Sequence, residues 1–119
     1  MMIAGIPVEA SIAKTQFERA AGLSNTPLLP AGVVKLFVFE SDARHGFWMK
    51  DMNYPIDILW VDATGVIVHI ETSVPPESYP KSFTPPVPAR FVIETQAGFT
   101  DREGVAVGDL ITLPASLRN

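Results

Sequence analysis

The chain has 119 residues, 47% of them hydrophobic and 18% charged, with a formal net charge of −4 and no cysteine. That length suits one core that takes roughly two-thirds of the unfolded surface out of water, and that composition excludes intrinsic disorder, which needs low hydrophobicity and high charge. The Lys and Arg residues, 9 in all, are scattered from Lys14 to Arg118 and form no cluster to meet a phosphate backbone or an anionic lipid, while the missing cysteine removes disulfides, thiolate catalysis and Cys-ligated zinc.

Residues 1–8 carry neither the positive n-region nor the apolar length of a signal peptide, and no later run reaches a membrane span. A soluble chain without membrane insertion is expected, and Met1 followed by Met2 is compatible with a start that replaces a removed export signal.

Val8, Ala10 and Ile12 alternate with Glu9 and Ser11, which predicts a half-buried strand over residues 8–13. A short helix is expected next: Thr15 and Glu18 form a capping box, Phe17, Ala20 and Ala21 share one face, and Gly22 stands where a left-handed residue ends the helix. Residues 24–32 read as a loop. Residues 33–39 (VVKLFVF) are apolar at both parities, the mark of a strand buried on both faces, with Lys35 as the exception whose stem is covered near a strand end.

A polar break at 40–45 precedes a predicted strand at 46–52, a turn at Asn53, Tyr54 and Pro55, and a further strand at 56–62. Residues 62–65 (DATG) are a compact turn that joins this strand to residues 66–71 as a β-hairpin. Residues 74–88 hold six prolines among fifteen positions, too many for a strand or helix interior, and are expected to form one long loop. Residues 90–96 are a strand, and Gly108 and Asp109 turn the chain into a last strand at 110–113.

Short strands with short connections and one small helix near the N-terminus predict an all-β fold, an antiparallel sandwich or barrel rather than βαβ units. No repeat, linker or shift of composition divides residues 1–119, so a single domain is expected.

Phe47, Trp48, Met49 and Lys50, followed by Pro55, Ile56, Asp57 and Ile58, form a distinctive motif. The chain resembles the domain of unknown function 192 family in this motif, in the Thr-led helix ending in Gly22 and Leu23, in LFVF at 36–39, in VIETQAG at 92–98 and in VGD at 107–109. It departs from the family pattern where Ser24 replaces a methionine and where Asp51 and Met52 replace an Asn-Thr pair. The resemblance implies a jelly-roll-like β-sandwich, often carried behind an export signal and hence periplasmic or otherwise extracytoplasmic, with a cytoplasmic location as the alternative for a chain that shows no signal peptide. It implies no established activity.

If residues 46–52 are a strand, Trp48, Lys50 and Met52 share a face, which sets an ammonium among large apolar neighbours. Asp57 and Glu94 each interrupt an apolar strand and are the candidate partners of Lys50. Either the three form a polar cluster in a cleft, where a lysine with a carboxylate supports acid and base chemistry, or they form an ion pair that fixes strand register. Trp48 is the aromatic residue best placed to meet a ligand, and the other aromatics at strand spacing are core. In the proline-rich loop, Tyr79 and Phe83 stand on a stiffened backbone that either binds a partner or caps the fold.

His45 and His69 are far apart, and the chain has no HExxH, calcium loop, GxSxG, P-loop or GxGxxG pattern, so no metal and no cofactor are expected. The leading functional reading is a non-catalytic binding or interaction module for a small molecule, glycan or protein, with Trp48, Lys50, Asp57, Tyr79, Phe83 and Glu94 as candidate ligand-binding residues. The alternatives are a small hydrolase-type enzyme with a Lys/carboxylate site, and a structural scaffold.

Overall fold

The apolar residues at the N-terminus find their partners locally and at the far end of the chain. In the computed structural model, which describes residues 1–117, β1 (Met2–Ile3) and β2 (Ile6–Pro7) form a tight hairpin. The alternation after Val8 becomes β3 (Glu9–Ala13), followed by α1 (Gln16–Ala21). The Thr15 hydroxyl accepts from the Glu18 N–H, and the Glu18 carboxylate accepts from the Thr15 N–H, so the capping box is complete. Phe17 does not join the core: it is 84% exposed, because the helix is too short to turn a continuous apolar face inward.

The remaining strands are β4 (Val33–Ala43), β5 (Ile56–Val61), β6 (Ile67–Val74), β7 (Ala89–Gln96) and β8 (Ile111–Thr112), with α2 (Phe99–Glu103) between the last two. Five strands make one sheet in the order β3-β4-β7-β5-β6, and β2-β1-β8 make a smaller one. The fold is mostly β with two sheets. The larger sheet is open, ending at β3 and β6, so the expected alternative of a barrel is corrected.

A second correction concerns direction. β3 and β4 are parallel, with Ser11 opposite Lys35 and Ala13 opposite Phe37. Residues 14–32, including α1, supply the long crossover that a parallel pair requires and a hairpin does not, so one βαβ unit stands in an otherwise antiparallel sheet. The hairpin at 62–65 forms as expected. The Asp62 carboxylate accepts from the Thr64 N–H, the Thr64 hydroxyl and the Val66 N–H, which fastens the turn between β5 and β6.

Residues 46–52 are not a strand. They form one isolated antiparallel bridge, Phe47 with Phe83 of the proline-rich loop, outside both sheets, and then turn at Lys50 and Asp51, where Asp51 adopts a φ of 57°. The proline-rich stretch is irregular apart from a 3-10 turn at Pro76–Ser78, and its Phe83 exchanges two main-chain hydrogen bonds with Phe47, at 2.9 and 2.8 Å.

The large sheet is buried on both faces. Leu36, Leu59, Val61 and Ile93 pack with Ile3 and Ile111 of the small sheet on one side. Phe37, Ile58, Trp60 and Val92 pack with Leu23, Leu29 and Met49 on the other. Every residue of β5 is buried, which accounts for its near-continuous apolar sequence. Trp60 satisfies its indole N–H by donating to the His45 carbonyl at 2.8 Å.

Candidate functional site

The register of β4, β7 and β5 decides where each polar residue goes. Glu94 lies opposite Lys35 on β4 and opposite Ile58 on β5, whereas Asp57 lies opposite Thr95. Side chains alternate along each strand, so Glu94 points to the face of Val92 and Ile58, and Asp57 to the face of Leu59 and Ile93. The cluster of Lys50, Asp57 and Glu94 expected from sequence is not formed: the two carboxyls are on opposite faces of one sheet. Among the described residues no salt bridge involves Lys50, which is exposed at the turn.

Asp57 is fully buried and well supplied with donors. Its Oδ1 accepts from the Ser73 N–H at 2.8 Å and the Gly98 N–H at 3.2 Å, and its Oδ2 accepts from the Thr100 N–H at 3.0 Å and the Thr100 hydroxyl at 2.7 Å. These bonds tie the end of β6 and the start of α2 to β5. With its acceptor positions taken, Asp57 has a structural role.

Glu94 is the opposite case. It is 4% exposed and makes no hydrogen bond among the described residues, while no fully enclosed side-chain polar atom there lacks a partner. Its oxygens therefore open onto a cavity of about 280 Å³, which lies between α1, β4 and residues 46–52. Burial pushes the Glu94 carboxyl up to about 8, against the pull of the Lys35 ammonium. Lys35 itself donates to the Ser11 hydroxyl at 3.2 Å across the β3/β4 pair.

The apolar part of the cavity wall is largely aromatic, with Leu23, Phe37, Phe39, Phe47, Trp48 and Met52, and Ser24 and Arg19 add polar groups. Phe37 and Phe47 meet edge to face at 4.9 Å, and Phe39 is held between the His45 ring, stacked at 3.6 Å, and the Arg19 guanidinium at 5.1 Å. Arg19 also lines the cavity and donates to the carbonyls of Lys14 and Val38, so its position is fixed.

Two glycines permit this arrangement. Gly22 has a φ of 49°, and a Cβ there would meet the Phe37 ring at 3.3 Å; at Gly46 a Cβ would meet the Ser82 hydroxyl at 2.7 Å. The first lets the helix end lie against Phe37, and the second lets the 46–52 segment lie against the proline-rich loop.

Trp48 is 48% exposed at the cavity rim. The Tyr79 ring lies 5.0 Å away, tilted by 55°, and the Lys50 ammonium lies 5.8 Å from the Trp48 ring. Phe83 backs the wall through its bridge to Phe47, with the Lys81 ammonium 4.8 Å from its ring. Of the six residues singled out from sequence, Trp48 and Glu94 line the cavity, Lys50 and Tyr79 attend its rim, Phe83 supports its wall, and Asp57 is elsewhere. Arg19, Phe39 and Phe47 were missed as lining residues. Lys35 was noted as an interruption of an apolar strand, but its pairing with Glu94 appears only once the register is known.

Fold and site together define a two-sheet β domain with an aromatic-walled cavity around a buried carboxyl that has no hydrogen-bond partner among the described residues. The chain belongs to the domain of unknown function 192 family (DUF192; Uncharacterized ACR, COG1430), whose profile matches residues 2–113. It is 29% identical over 100 residues to a UPF0127 protein of Thermococcus sibiricus, a match that covers 84% of this chain and 62% of that relative's length. The chain thus spans less than two-thirds of that protein. A structure from Sinorhizobium meliloti 1021, carrying the provisional description of a transcription regulator, is similar with a TM-score of 0.81 and 28% identity, covering 85% of this chain and 78% of that one. A protein of unknown function from Novosphingobium aromaticivorans shares the fold with a TM-score of 0.84 at 24% identity, covering 89% of this chain and 75% of that one.

Proposed function

We propose that this domain is a non-catalytic binding module for a small molecule, which occupies the cavity between α1, β4 and residues 46–52. The observation that carries this reading is Glu94. A buried carboxyl without a hydrogen-bond partner costs stability, and a scaffold has no use for one that faces an open cavity. A concave site that sets aromatic walls beside a few polar groups, here Glu94, Arg19 and Ser24, has the usual form of a small-molecule pocket.

The alternative of a Lys/carboxylate hydrolase draws less support, because among the described residues Lys50 makes no salt bridge with Asp57 or Glu94. The description of the Sinorhizobium meliloti relative is not carried over, because the basic residues of this chain are scattered along the sequence.

The test is a fragment screen read by ¹⁵N–¹H NMR on the wild-type domain and on an Ala20→Phe variant, which adds a ring at an exposed residue that lines the cavity. Binders should shift the amides of Gly22, Leu23, Phe47 and Trp48 together in the wild type and leave them unmoved in the variant. Shifts that ignore the cavity, or persist in Ala20→Phe, would overturn the reading.

A further inference from the structure

The same sheet holds two buried carboxyls, and their surroundings differ in a way that specifies the guest. Asp57 receives four hydrogen bonds from Ser73, Gly98 and Thr100. Among the described residues Glu94 receives none, although it is almost as deeply buried. A carboxyl in an apolar wall without donors is held in its neutral form, and in that form it has an O–H to give.

The neighbouring charges are positive. Lys35 lies directly across the strand pair from Glu94, the Arg19 guanidinium lines the cavity, and Lys50 stands over Trp48 at the rim. An incoming cation would be repelled by these groups and would have to ionise a carboxyl that burial keeps neutral. A carbonyl-type acceptor oxygen meets neither obstacle. The rings of Phe37, Phe39, Phe47 and Trp48 provide surfaces for a planar apolar body.

Building on the small-molecule reading above, we propose that the cavity selects molecules with a flat apolar body and a carbonyl-type acceptor oxygen, which takes a hydrogen bond from Glu94, and that it rejects amines. The carboxyl stands near its titration point just above neutral pH, so uptake should fall as the solution becomes alkaline.

Acetophenone, toluene and benzylammonium serve as probes, with dissociation constants measured by NMR titration at pH 6.5 and pH 9. At pH 6.5 acetophenone should bind at least 10-fold more tightly than either of the others, and at pH 9 it should lose most of that margin. Glu94→Gln keeps a donor of the same shape that does not ionise, so it should bind acetophenone within about 3-fold of wild type at both pH values. Glu94→Leu removes the donor and should bring acetophenone down to the level of toluene.

Toluene binding as well as acetophenone would overturn the role of Glu94 while leaving the cavity a binding site, and benzylammonium binding best would overturn the charge argument alone. If no probe shifts any cavity amide, the proposal fails together with the binding-module reading. Circular dichroism of both variants separates a loss of binding from a loss of folding.

Discussion

Glu94 and Asp57 occupy adjacent strands of one sheet and face away from each other, because Glu94 pairs with Ile58 and Asp57 pairs with Thr95. One carboxyl opens onto a cavity with no partner among the described residues, and the other is closed by four donors. Their different environments lead to separate, measurable consequences.

Glu94 should make the fold less stable as pH rises. Burial lifts it from the ordinary value of 4.5 to about 8. Below 4.5 it is protonated in both folded and unfolded chains; between 4.5 and 8 the unfolded chain ionises while the folded one holds its proton; above 8 both are ionised. Stability is therefore greatest on the acid side and declines through that window, by at most about 5 kcal/mol from this group. Urea midpoints from pH 4 to pH 9 should show the decline, after allowance for other groups, and Glu94→Gln should flatten it. A Glu94→Gln profile parallel to wild type would refute this assignment.

Asp57→Asn should destabilise the domain by about 3 kcal/mol, because the new NH₂ group faces N–H and O–H donors and leaves buried partners unsatisfied. Urea unfolding measures the loss. Since Asp57 holds α2 and the end of β6, amide exchange near Gly98 and Ser73 should rise first. An unchanged midpoint would contradict the role given to its four hydrogen bonds.

Lys50→Met should alter stability by less than about 0.5 kcal/mol, because Lys50 is exposed and has no carboxylate partner among the described residues. A thermal-shift comparison decides this. A large loss would restore the ion pair that the sequence suggested.

Gly22→Ala should cost about 1 to 2 kcal/mol, because the residue has a positive φ and its new methyl would press on the Phe37 ring. Acetophenone affinity should fall as well, since Phe37 is part of the cavity wall. Denaturant unfolding paired with the NMR titration tests both effects. Loss of stability with unchanged binding would show that the Phe37 ring keeps its place.

The sequence by itself determined the local elements of this protein. Period-2 alternation marks β3, the capping box of Thr15 and Glu18 starts α1, Asp62 with Gly65 makes the β5/β6 turn, and the motif around Trp48 and Asp57 marks the family. Each of these depends on residues close together in the chain. Only the tertiary structure decided that β3 runs parallel to β4, that residues 46–52 turn outward at Lys50, and that Glu94 faces a cavity while Asp57 faces α2. Alternation tells which residues of one strand share a face, but two strands can be compared only through their register. A shift of one residue in the β5/β7 pairing would have put Asp57 and Glu94 on the same side, and that register is set by the packing of both cores.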